Sequence, residues 1–168
     1  LGKANIGANC NMIKNRKAWE SLLDEYWKTI IHIRDKGLDQ YWLSKGIKKA
    51  GAEAHHIFSR RNRNTRWDTR NGILLQRAHH FSKAHVEPEE FRQFLIKDWF
   101  KFESSYDKLH ISALMPVKLK EGNYKLIEMQ LAIELAALTQ MPDWILDDST
   151  TKKKQILKGL RVNNYAAK

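Results

Sequence analysis

The chain holds one cysteine, Cys10, among its 168 residues. No intramolecular disulfide can form, and a zinc knuckle built on cysteines is excluded. A single cysteine also suits a reducing compartment, so an intracellular setting is expected. No apolar run approaches the roughly 20 residues needed to span a bilayer, so no membrane span is expected. The start, Leu1-Gly2-Lys3-Ala4-Asn5, lacks both the apolar centre of a signal peptide and an initiating Met. It reads as beginning inside a longer product. Acids are scarce: 19 Asp plus Glu stand against 30 Lys plus Arg, a formal charge of +11. That excess says little about fold and points to polyanions or an anionic membrane surface as partners. There is no internal repeat.

What is present is enough for a core. Hydrophobic residues make up 42% and aromatics 10%, which excludes a disordered polymer. Residues 1–11, rich in Gly, Asn and Ala, read as a loose leader. From Ile13 to Arg34, Trp19, Leu22, Leu23, Tyr26, Trp27, Ile30 and Ile31 recur at spacings of three and four, the mark of one buried helix face. Gly37 ends that helix. Residues 38–51 are a polar connector into a short strand, Ala52 to Phe58. Ser59 to Asn71 carries Arg60, Arg61, Arg63, Arg66 and Arg70 without helical or strand periodicity and reads as an ordered loop, with Asp68 an arginine partner inside it. Ile73-Leu74-Leu75 is a second short strand, and Gln76 to His85 a loop entering a helix.

The remainder reads as helical. Glu87-Pro88-Glu89-Glu90 opens a helix, with Pro in the first turn and acids at the positive end of the dipole. Phe91, Phe94, Leu95, Trp99 and Phe100 supply its apolar face. A break near Met115-Pro116 precedes Tyr124 to Leu138, where Leu126, Ile127, Leu131, Leu135 and Leu138 form another stripe. Trp144 and Ile145 are expected to dock, and residues 146–168 to form a basic, partly mobile tail. One α+β domain over 12–145 results: a helix, two strands around an arginine-rich loop, then helices.

Five of the seven histidines, His55, His56, His79, His80 and His85, fall within one short stretch. His55-His56 closes the first strand, Asn71 opens the second, and His79-His80 follows it. An antiparallel strand pair with a helix packed across it would bring these points together. A single divalent ion needs such an arrangement: ligands from different elements, with positions left for water and phosphate. His32 and His110 lie on helical patterns and read as structural; Trp19, Trp27 and Trp99 read as core.

The runs Ala54-His55-His56-Ile57-Phe58-Ser59-Arg60, Thr65-Arg66-Trp67-Asp68, Asn71-Gly72-Ile73-Leu74-Leu75 and His79-His80 resemble the HNH endonuclease family, particularly its phage-type members. The resemblance implies a ββα-metal core at about 50–92. It makes His55 and His80 the metal ligands, His56 the general base and Asn71 the brace of the loop. His79 is an alternative ligand to His80. His85 is a third candidate, although five residues from His80 is one more than stacks side chains on an α-helix. DNA is the implied partner, Mg²⁺ or Mn²⁺ the implied ion, and a phage gene working in a bacterial host the implied source. Imidazole-rich sites also accept Zn²⁺ or Ni²⁺.

One departure stands out. Many relatives carry two Cys-x-x-Cys pairs that clamp the core with a structural zinc. Asp39 to Trp42 stands where the first pair would be and Gln76 to His79 where the second would be, and neither holds a cysteine. No structural zinc is expected, and Trp42 packed against the strands is the candidate replacement.

The residue types suit phosphodiester hydrolysis. An imidazole can take a water's proton at neutral pH, and Asn can donate and accept at once. Neighbours on a strand point to opposite faces, so a bend is expected at His55-His56 if both serve one site. Arg60, Arg61 and Arg66 are expected to grip phosphates, adding affinity without reading sequence. The alternative is a non-catalytic DNA-binding protein on a degenerate scaffold. RNA is the weaker partner, because the aromatic sheet signature of common RNA binders is missing.

Overall fold

The computed structural model describes residues 15–139 and 149–166. The expected leader at 1–11, Cys10 and the expected docking of Trp144 and Ile145 lie outside them. Helix and sheet are mixed, so the chain is α+β. The helices are α1 (Arg16–Arg34), α2 (Gln40–Ser44), α3 (Arg77–Phe81), α4 (Pro88–Phe94), α5 (Glu103–Leu114), α6 (Glu121–Thr139) and α7 (Thr150–Ala166). The strands β1 (Glu53–His56) and β2 (Gly72–Leu75) pair antiparallel, with His55 opposite Ile73 and His56 opposite Gly72.

Helix α1 organises the molecule. Asn15 caps it, its Oδ1 accepting from the Ala18 amide at 2.8 Å. Lys36 and Gly37 end it in the left-handed region, and the Gly37 amide returns to the His32 carbonyl at 2.8 Å. All seven apolar residues of its expected stripe are buried. They form one core with Trp67, Leu74, Tyr124, Leu131, Leu135 and Leu157, drawn from the loop, β2, α6 and α7. A second core joins Tyr41, Ile73, Leu75, Phe91, Phe94, Leu95 and Tyr106. β2 lies between the two, with Leu74 facing one and Ile73 and Leu75 the other, as strand alternation requires.

Two strands alone are marginal in water, and side chains from the end of α1 complete this pair along β2. Asp35 Oδ2 accepts the Leu74 amide at 2.8 Å, and Arg34 donates to the Gly72 and Thr69 carbonyls, each at 2.7 Å. The strand also lies very close to the helix. A Cβ at Gly72 would stand 2.4 Å from Ile31 Cδ1 and 2.6 Å from Trp27 Cζ2, so only glycine lets β2 seat there.

Several expectations change. The connector contains α2, started by Asp39, whose Oδ1 accepts the Trp42 amide at 2.7 Å. The stretch read as a loop from Gln76 is helical from Arg77, and it passes into a π turn at Ser82–Val86 before α4. A second π turn, Leu95–Trp99, follows α4, and α5 is a separate helix. The basic end is not a mobile tail over its described part. Thr150–Ala166 is a helix laid on α1, with Leu157 fully buried and Arg161 paired to Glu25 at 2.7 Å. Lys153, read as part of a solvated run, is buried and paired to Glu128 at 2.6 Å. The apolar residues of α7 that reach the core, Ile156, Leu157 and Leu160, are too sparse among lysines to announce a buried face. Among the described residues no helix is long and apolar enough to cross a membrane.

Candidate functional site

The histidine pair sits at the end of β1, opposite the entrance to β2. The expected bend between His55 and His56 is not there: β1 runs through both, and the chain bends one step later, at Ile57 and Phe58. The two rings therefore take opposite sides of the strand.

His55 faces the helices that follow β2. Its ring meets that of His80, on α3, edge to face with centroids 4.7 Å apart, and that of Phe91 at 5.7 Å. Glu53, two residues earlier and so on the same side of β1, accepts from His80 Nδ1 at 2.5 Å. Because a carboxylate accepts, His80 Nδ1 carries a proton, and Nε2 points away from that bond. Sequence reasoning missed Glu53. Its signal was the Glu-x-His spacing, which puts both side chains on one face of a strand.

His56 lies against α1. Its ring stacks on the Trp27 indole, centroids 3.8 Å apart and planes 7° from parallel. Nε2 is 2.9 Å from the Arg66 carbonyl. A carbonyl only accepts, so Nε2 carries the proton and Nδ1 the lone pair. Burial is the largest influence on this ring and pushes its pKa down to about 4. The imidazole is neutral near pH 7.

Asn71 is fully buried beneath the loop. Its Oδ1 accepts the Phe58 amide at 2.7 Å, and its Nδ2 donates to the Phe58 and Thr65 carbonyls, each at 3.0 Å. With the Ile57 amide on the Asn71 carbonyl at 3.0 Å, this residue closes the loop onto itself.

The arginines divide into two kinds. Arg60 and Arg61 are exposed just past the bend. Arg66, expected as a third phosphate contact, is committed elsewhere and is corrected here. Its side chain is 14% exposed and holds Asp24 at 2.8 Å and Glu20 at 3.0 Å on α1, which leaves its guanidinium no clear face for a phosphate. Arg70 pairs with Asp68 at 2.6 Å, the local partnership expected for that acid.

His79 is also corrected as a ligand. It turns away from His55 into a buried cluster, with Nδ1 donating to Asp39 at 2.9 Å and its ring against Tyr41 and Trp42 at 5.1 and 5.0 Å. Asp39 takes the Gln76 amide as well, at 2.5 Å. The segments Asp39 to Trp42 and Gln76 to His79 thus face each other and are joined by one carboxylate, an imidazole and two aromatic rings. Trp42 is part of this clamp but not all of it. The side chain of His85 lies outside the described part of the structure. Of the two histidines read as structural, His32 is buried in α1, and His110 is exposed and stacked on Phe58 at 4.9 Å.

Among the described residues no three His, Cys, Asp or Glu side chains form a ready-made ion cage. What converges is two imidazoles with a carboxylate behind one of them. No family model, curated protein or solved structure matches the chain.

Proposed function

We propose that the chain is a metal-dependent DNA endonuclease with a ββα-metal core, and that β1, β2 and α3 are that core. The observation that carries this reading is the division of labour at the end of β1. One histidine of an adjacent pair meets a third histidine, while the other is held as a neutral ring with a defined lone pair. Because β1 does not bend between them, the two rings serve one phosphate only if it lies across the end of the strand, where both sides of β1 can be reached.

The donors fit a divalent ion. His55 and His80 come from different elements, and Glu53 behind His80 Nδ1 is the kind of outer partner that fixes a ligating imidazole. His55 and His80 would hold such an ion, Mg²⁺ or Mn²⁺ by preference, and when bound it would supply charge relief for the scissile phosphate and the departing oxygen. His56 Nδ1 takes a proton from a water as the water's oxygen bonds to phosphorus. The bond from phosphorus to the 3′ oxygen breaks, and that oxygen takes a proton from solvent. The products are 5′-phosphate and 3′-hydroxyl ends. Asn71 keeps the loop that carries the Arg66 carbonyl in place. Arg60 and Arg61 hold flanking phosphates, and the net charge of +11 draws DNA in.

The test is cleavage of supercoiled plasmid in EDTA, Mg²⁺ or Mn²⁺, with His56→Ala alongside. Metal-dependent nicking that the variant loses while still binding DNA is the expected outcome. Binding without cleavage in either protein under every ion overturns the nuclease reading and leaves a DNA-binding scaffold.

A further inference from the structure

The proton position on His56 depends on the Arg66 carbonyl, and that carbonyl lies in a loop outside any helix or strand. Something must hold it. Arg66 Nε and Nη2 donate to the two oxygens of Asp24 at 3.1 and 2.8 Å, and Nη1 donates to Glu20 at 3.0 Å. Trp67 Nε1 donates to the same Asp24 at 2.9 Å. Trp27 Nε1 donates to the Asp68 carbonyl at 3.0 Å while its indole lies flat on His56. Glu20, Asp24 and Trp27 are spaced four and three apart, so they form one stripe on α1. Loop residues 66, 67 and 68 are each tied to that stripe.

The geometry points to Asp24 as a positioning residue for the reaction: it holds the Arg66–Trp67 segment so that the Arg66 carbonyl keeps the His56 proton on Nε2 and the lone pair on Nδ1. This rests on the nuclease reading, in which His56 Nδ1 is the base. Asp24 does not touch the reacting atoms. It receives three donors with one carboxylate, and a bidentate guanidinium pair sets direction as well as distance. Bound Arg66 therefore acts through its backbone, the opposite of a phosphate-gripping arginine. Without that pair the carbonyl can swing, and the imidazole can carry its proton on either nitrogen.

Asp24→Asn tests this directly. With its amide oxygen in the place of Oδ1 it still accepts from Trp67 and Arg66 Nε, but its NH₂ faces Arg66 Nη2, so the two-point pair is broken with little change in volume. Arg66→Gln cuts the same link from the loop side. The His56 tautomer is read from long-range ¹H–¹⁵N NMR spectra of the imidazoles at neutral pH, and cleavage is measured beside it. In the parent protein His56 should be the Nε2–H form. In both variants that form should give way to a mixture, with kcat falling about 100-fold, the scale of a misplaced catalytic group, and KM for plasmid little changed. A parent spectrum showing the Nδ1–H form overturns the inference without any variant. So do folded variants that keep both the parent tautomer and the parent kcat. A parent protein that cuts no DNA under any ion instead removes the nuclease reading itself.

Discussion

At the scale of single residues, the loop between the strands is governed by side chains that satisfy backbone. Asn71 meets one amide and two carbonyls in a fully buried position. Asn71→Ala strands all three, and leaving buried polar groups without partners costs about 1–3 kcal/mol each before relaxation. The expected loss is about 2–4 kcal/mol in urea unfolding. A variant within about 0.5 kcal/mol of the parent would mean that the loop does not depend on the brace. The role of Asn71 was expected from the family resemblance, and an amide that both donates and accepts suits it. The role of Arg66 was not expected. Arg60, Arg61 and Arg66 look alike in a sequence, and only the acids of α1, more than 40 positions away in the chain, distinguish the buried one.

Among the elements, α1 and the clamp between α2 and α3 matter most. His32 is buried on α1, and burial, then the charges of Arg161 and Lys28, hold its pKa at about 4 against a usual 6.5. As pH falls below 6.5 the unfolded chain takes up a proton that the folded chain refuses until about 4. Stability should therefore decline across that window, by up to about 3 kcal/mol, and His56 adds in the same direction. Chemical denaturation of His32→Gln from pH 7 to pH 4 should show a shallower decline than the parent; equal slopes would remove His32 as a cause. The clamp makes a separate claim. Asp39 joins Trp42, Gln76 and His79 between α2 and the start of α3. Asp39→Ala should cost about 2–4 kcal/mol through three orphaned donors, while EDTA should leave the melting temperature of the parent unchanged. A lowered melting temperature in EDTA would show that an ion supplies the clamp instead. The packing of Trp42 against this part of the fold was expected from the sequence. The carboxylate was not, because Asp39 also reads as an ordinary helix cap.

For the whole molecule, charge and topology act together. Arg60 and Arg61 are exposed, while Arg66 is held by acids, so their removal should have different consequences. The double change Arg60→Ala with Arg61→Ala should lower the slope of log affinity against log salt by about two on duplex DNA, near 0.9 per phosphate contact, and leave stability alone. Arg66→Ala should instead lower stability. An unchanged slope in the double variant would mean that DNA lies elsewhere on the surface. From the sequence alone came the elements whose causes are local. The stripe on α1, the two strands and the ordered arginine loop follow from periodicity and composition, which act over a few residues, while the brace at Asn71 was expected from the family resemblance. The tertiary structure decided what depends on distant partners. It turned His79 into the clamp, set Glu53 behind His80, buried Arg66 and laid a basic helix on α1. Each of those outcomes required two segments far apart in the chain to meet, and nothing in the spacing of neighbouring residues records which segments will.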